Sequence, residues 1–138
     1  MSETFPVVER DRGSAAFFDA AARGELLVRR APASGTVLGP EARTDPASGS
    51  ADLEPYTASG RGTLVTWAVV HRAPLPVLVE AVPYVSAVVE LEEGPWLMVR
   101  LLAADLSALR AGVPVRVRFV RSGAEGEGGE TLPVFEVA

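Results

Sequence analysis

The sequence predicts a mainly β protein: a five-stranded barrel preceded by a short N-terminal helix and an irregular segment. Three observations carry this reading. From Tyr56 onward the chain is a series of short runs rich in valine, leucine, threonine and aromatic residues, separated by Gly and Pro. Val113, Val115, Val117 and Phe119 alternate with Pro114, Arg116 and Arg118, the period of a half-buried strand. Upstream, Ser14 precedes AAFFDAAARGELL, an alanine-rich stretch with apolar residues at helical spacing.

Taken in order, residues 1–13 read as a flexible arm. Phe17, Phe18, Ala21 and Ala22 share one side of a short helix, with Ser14 at its start and Gly24 as its stop. That helix docks either on the domain's own core or on another subunit. Glu25–Arg30 reads as a strand. The following stretch, APASGTVLGPEARTDPASGSADLEP, is dominated by Ala, Pro, Ser and Gly, with residues 36–38 as its only apolar run. So long an irregular segment inside a small domain calls for an explanation.

The barrel strands are expected at Leu64–Val70, Tyr84–Leu91, Trp96–Leu102, Val113–Phe119 and Thr131–Val137. Pro74, Pro76 and Pro83 make residues 72–83 a loop, because proline cannot donate to a sheet ladder. Glu92-Glu93-Gly94-Pro95 is a tight turn joining two strands into a hairpin. Ala103–Ala111 is helix-like, and Ser122–Glu130 is a mobile, solvated loop tip. No internal repeat stands out. Five strands with a helix between the third and fourth match the order of an OB-fold barrel. The division is then 1–13 arm, 14–55 helix and irregular segment, and 56–138 OB-fold domain.

The 138 residues are 48% hydrophobic, enough for one buried core, and carry a net charge of −5. All 13 basic residues are arginine, a pattern of GC-rich coding. The acidic balance disfavours nucleic acid, whose binders show a basic excess. The N-terminus does not resemble a secretory signal and no apolar run approaches membrane-spanning length, so a cytoplasmic protein without membrane contact is expected.

The composition also restricts chemistry. With no cysteine, no lysine and a single histidine, there is no thiolate nucleophile, Schiff-base lysine, P-loop or clustered metal-ligand set. His71 lacks a G-x-S-x-G elbow to serve. It is read either as a strand-end residue bonded to a backbone carbonyl or as an acid/base or ligand contact in a cleft shared with a partner. No catalytic residue is assigned. Trp67 and Trp96 are read as core or rim packing.

Several ordered motifs together resemble a known family. They are Gly60-Arg61-Gly62-Thr63, Trp67-Ala68-Val69-Val70-His71-Arg72 with its proline-rich loop, Pro83-Tyr84-Val85, Val88-Val89-Glu90-Leu91 and Glu93-Gly94-Pro95. Gly112-Val113-Pro114-Val115-Arg116-Val117 and Thr131-Leu132-Pro133-Val134-Phe135 complete the set. Across residues 14–137 the chain resembles the acyl-CoA-associated family in which a helix and a rubredoxin-like zinc ribbon precede a C-terminal OB fold. Members carry C-x2-C, a gap of about nine residues, and C-x2-C around one zinc. The matching positions are read as Ala31, Ser34, Thr44 and Ala47, so the resemblance implies a degenerate ribbon without zinc.

The resemblance further implies a non-catalytic accessory subunit in a hetero-oligomer with a thiolase-like or aldolase enzyme, helping to form its acyl-CoA site, with acyl-CoA as a shared ligand. The candidate contacts are Phe17, Phe18, His71, Tyr84 and the loop residues Leu75 and Leu78, with Arg61, Arg72 and Arg100 for CoA phosphates. The rival reading is an OB module for single-stranded nucleic acid, with Arg116 and Arg118 on its surface.

Overall fold

The computed structural model describes residues 4–138. Its first regular element is α1 (Ala15–Ala22), followed by three short strands, β1 (Leu26–Arg30), β2 (Val37–Leu38) and β3 (Glu54–Ala58). The barrel strands are β4 (Arg61–Val70), β5 (Tyr84–Leu91), β6 (Trp96–Leu102), β7 (Pro114–Arg121) and β8 (Thr131–Val137).

Helix α1 ends at Gly24 as its sequence demands. Gly24 takes φ +77, and the amides of Gly24 and Glu25 turn back to Ala21 and Ala20. Ser14 stands at the N-cap but does not cap the helix. It is tied instead to Asp11, whose carboxylate accepts from both the Ser14 amide and its hydroxyl. The helix packs on its own molecule: Phe18 is buried and Phe17 leans on the core.

The irregular segment forms a sheet of order β2-β1-β3, with β1 antiparallel to both neighbours. β3 runs across residue 56, the expected start of the barrel, and pairs with β1 from Leu26↔Ala58 to Arg30↔Glu54. The change from this small sheet to the barrel falls at Ser59 and Gly60. The two parts share one core, because Leu26, Val28 and Ala58 pack with the barrel residues Leu64, Val89, Leu101 and Phe135.

The barrel closes in the order β4-β5-β6-β8-β7, with β6 and β8 parallel and every other pair antiparallel. This is the OB arrangement that the strand order predicts. Closure brings β4 against β7, where Gly62 faces Val115. A Cβ on Gly62 would overlap the Glu90 carbonyl oxygen, so this crossing requires glycine. Between Leu64 and Thr66 the β4–β5 register shifts, a bulge that bends β4 around the barrel.

One expectation needs correction, and two segments prove to be tied down. The helix-like Ala103–Ala111 holds only one 3₁₀ turn, Leu106–Ala108, where the Asp105 carboxylate accepts from the Ser107 amide and hydroxyl. A side chain that competes for backbone donors favours a turn over a continuing helix. The loop 122–130 is fastened at its base: Ser122 is 2% exposed, and both its amide and hydroxyl donate to the Glu130 carbonyl. The described part of the arm is fastened too. Val8 donates to Ser122 Oγ, Glu130 donates to the Val8 carbonyl, and Gly123 donates to the Phe5 carbonyl. Residues 1–3 of the arm lie outside the described residues.

Candidate binding groove

Anchoring the arm builds a groove. Phe5, Pro6 and Val8 form one wall, Phe17 and Phe18 of α1 another, and Leu97, Met98 and Val99 with Leu132–Phe135 the barrel side. Leu78, from the proline loop, reaches its edge, and the cavity measures about 550 Å³. That size and its apolar walls are those of ligand or side-chain pockets in general. Phe17 and Phe18 meet edge to face, with centroids 5.3 Å apart.

Arg100 supplies the charge in this lining together with Glu41. Its guanidinium carbon lies 4.2 Å from the Phe5 ring centroid and 5.3 Å from that of Tyr84. Nη1 donates to the Thr4 carbonyl at 2.6 Å. The cation is thus held between two aromatic faces while its stem lines apolar surface.

Several large apolar side chains are exposed, one of them on the lining of the groove. Met98 is 81% exposed and Trp96 60%, and both project from the outer face of β6 at strand period two. Leu75, Val77 and Val79 are also exposed on the proline loop. Its center is a 3₁₀ turn, Pro76–Leu78, with proline at the first position.

The expected site residues separate into groups. Phe17, Phe18, Leu78 and Arg100 meet in the groove, and Tyr84 joins through Arg100. Leu75 stays on the exposed loop, while His71 and Arg72 follow the end of β4 and are exposed. Arg61 lines a different cleft, with Glu92, Pro114 and Arg116, and its Nε and Nη2 donate to the Glu92 carboxylate. That pairing holds Glu92 below the usual carboxylate range. Reading the sequence strand by strand missed Phe5, Pro6 and Met98. The Trp96, Met98, Arg100 alternation was available as a signal, whereas nothing local marks the arm.

The ribbon positions need a correction of register. The amide of Gly35 bonds the Ala31 carbonyl, and that of Gly49 bonds the Asp45 carbonyl, so the second turn begins at Asp45. The four corresponding positions are Ala31, Ser34, Asp45 and Ser48; Thr44 and Ala47 are exposed and lie one residue off. A methyl, two hydroxyls and one carboxylate do not fit zinc, which takes thiolate, imidazole or several carboxylates. Among the described residues no group of three or more His, Cys, Asp and Glu is placed to hold a metal ion.

A family model described as the C-terminal OB-fold domain of ChsH2 matches residues 45–120. The chain belongs to this family. Curated relatives of this ChsH2-like chain include a "Probable enoyl-CoA hydratase alpha subunit" of Thermomonospora curvata, 33% identical over 96% of this chain and 39% of that protein. The "3-oxo-4,17-pregnadiene-20-carboxyl-CoA hydratase alpha subunit" of Mycobacterium tuberculosis is 36% identical over 79% of this chain and 34% of its own length. The chain therefore spans little more than a third of each of these two proteins.

Among solved structures, one described as "Ltp2-ChsH2(DUF35) aldolase" superposes with a TM-score of 0.75. It is 32% identical and the match covers 94% of this chain and 98% of that one. A DUF35-family protein from Sulfolobus solfataricus, of unknown function, superposes at 0.60 with 10% identity, covering 92% of this chain and 86% of that one, a likeness of fold alone. Among the described residues no helix is long and apolar enough to cross a membrane.

Proposed function

We propose that this ChsH2-family chain is a non-catalytic accessory subunit of an acyl-CoA-processing enzyme. The observation that carries the reading is the exposure of the large apolar residues Trp96, Met98, Leu75, Val77 and Val79, of which Met98 lines the groove. Exposed large apolar side chains gathered on a surface mark association sites. The relatives' descriptions supply its context: two are alpha subunits of CoA-ester hydratases, and the solved DUF35 chain is described together with an aldolase. The partner is a thiolase-like or aldolase enzyme in a hetero-oligomer, and the acyl-CoA is bound in a site the two share.

In this reading the groove and loop do not react. They exclude water and hold apolar surface, while the partner contributes the reacting groups. Arg100, with Tyr84 against it, supplies a polar contact in the groove, while His71 and Arg72 are exposed after the end of β4. The oligonucleotide alternative has no comparable observation behind it, since Arg61 and Arg116 each face a carboxylate, Glu92 and Glu136.

Co-expression with an acyl-CoA-processing enzyme encoded beside it tests the reading. The two are expected to elute together, and Met98→Asp with Val77→Asp to reduce co-elution by at least tenfold while the lone chain keeps its fold. A chain that stays monomeric beside such an enzyme sinks the proposal.

A further inference from the structure

The two turns of the small sheet are copies of one another. Residues 31–35 read Ala-Pro-Ala-Ser-Gly and residues 45–49 read Asp-Pro-Ala-Ser-Gly. Two backbone bonds of the first turn recur in the second. Gly35 N bonds the Ala31 carbonyl and Gly49 N bonds the Asp45 carbonyl, each at 2.7 Å. Ala31 N bonds the Thr36 carbonyl at 2.9 Å and Asp45 N bonds the Ser50 carbonyl at 2.8 Å. Gly35 and Gly49 both take φ +75, a left-handed conformation that favours glycine. A short repeat is thus present that the sequence reading passed over.

One position breaks the symmetry. Ala31 and Asp45 are both wholly buried, but one offers a methyl and the other a carboxylate. The Asp45 carboxylate bonds to side chains of both turns, which the Ala31 methyl cannot do. Asp45 Oδ2 accepts from Ser48 Oγ of its own turn at 2.6 Å and from Ser34 Oγ of the opposite turn at 2.7 Å. Asp45 Oδ1 accepts from the Ala47 amide at 3.0 Å. Ser34 Oγ also lies 2.8 Å from Thr36 Oγ1, which locks its rotamer.

We propose that Asp45 is a hydrogen-bonded cross-brace that joins the two turns in the place where paired knuckles of this spacing hold a metal ion. The chemistry is the reverse of a metal site. A structural zinc is a cation that draws in deprotonated ligands. Here the centre is an anion, and the surrounding side chains are neutral donors that keep their protons. The exchange makes the small sheet independent of metal supply and of thiol oxidation, because no thiolate takes part. The shared core through Leu26, Val28 and Ala58 anchors the sheet at its other end.

Hydrogen exchange on the full chain tests the brace. Ser34→Ala removes the bond between turns together with the Ser34 contacts to Thr36 in the first turn, and leaves the bonds of Ala47 and Ser48 to Asp45 in place. It is expected to speed exchange of the Gly35, Asp45 and Gly49 amides about tenfold together, the scale of a lost bond to a charged acceptor. Barrel amides such as Val85 and Leu101 are expected to stay unchanged. If the 45–49 turn keeps its protection in Ser34→Ala, the brace is refuted. Asp45→Asn, which keeps one acceptor oxygen, is expected to loosen both turns in the same way.

Metal titration gives a second arm. The wild-type chain is expected to retain no stoichiometric zinc after dialysis and to melt at one temperature with and without chelator; one zinc per chain would overturn the proposal. A variant carrying Ala31→Cys, Ser34→Cys, Asp45→Cys and Ser48→Cys is expected to take up one cobalt ion with thiolate absorption. Moving the second pair to Thr44→Cys and Ala47→Cys is expected to abolish it. Equal or tighter cobalt binding by the shifted variant would show the register to be wrong.

Discussion

Arg10 grips Glu130 across 120 positions of sequence, with Nε 2.8 Å from Oε1 and Nη2 3.0 Å from Oε2. Arg10 Nη1 also reaches the Asp19 carboxylate of α1 at 2.6 Å. One guanidinium therefore ties the arm to both the helix and the start of β8, alongside the backbone bonds that hold Phe5 and Val8. Two-point contact with a carboxylate is a geometry that lysine could not reproduce. Arg10→Lys is accordingly expected to free the arm nearly as well as Arg10→Ala, read as faster exchange of the Val8 and Glu130 amides.

The same contact predicts an acid response. Hydrogen bonds from Arg10 hold the Glu130 carboxyl below its ordinary 4.5. A carboxylate depressed in the folded state stabilises it above the unfolded value and loses that contribution as pH falls through the folded one. Arm fastening is thus expected to be complete above about pH 5 and to fade below pH ~4. Exchange or limited proteolysis of residues 4–10 against pH would show this, and Glu130→Gln is expected to flatten the profile.

The shared core sets a stability prediction. Phe135 is 1% exposed and joins the barrel to the helix–sheet half of the molecule. Phe135→Ala is expected to cost about 3–5 kcal/mol in urea unfolding, the range for a buried aromatic left as a cavity. Met98→Ala, at an 81% exposed position, is expected to change stability by less than about 0.5 kcal/mol.

Backbone contact at the barrel seam sets another. A Cβ at Gly62 would collide with the Glu90 carbonyl and lie 3.2 Å from Leu91 Cα, both backbone atoms that cannot swing aside. Gly62→Ala is expected to destabilise by more than about 1 kcal/mol despite the gain in chain stiffness. Thermal melting would measure it, and Gly94→Ala, at an open turn with φ +113, separates conformational strain from collision.

Trp96 offers a reporter for the proposed partner face. It is 60% exposed, whereas Trp67 packs partly against the core. Partner binding over β6 is expected to shift the emission to the blue, and Trp96→Phe to remove the shift. An unchanged spectrum in a complex that still forms would place the partner elsewhere.

Period-two alternation made the barrel strands legible, because each strand must turn one face to a core and the other to water. Gly24 and the proline loop were legible for a similar reason: the constraint lies within a few residues. The turn at Leu106–Ala108 was misread as a helix because apolar spacing over nine residues suits either, and Asp105 decides it locally. The ribbon register was misread by one residue in its second half, although the repeated Pro-Ala-Ser-Gly marks it plainly.

By itself, then, the sequence determined an OB barrel behind a short helix and an irregular segment, with no thiolate for a metal. Local sterics and alternation suffice for that. Only the tertiary structure decided that the arm lies fastened against Ser122 and Glu130, that a groove opens beneath it, and that Asp45 sits wholly buried between two turns. These depend on contacts between residues as much as 120 positions apart, where no spacing rule reaches, and on a buried charge whose donors come from both turns.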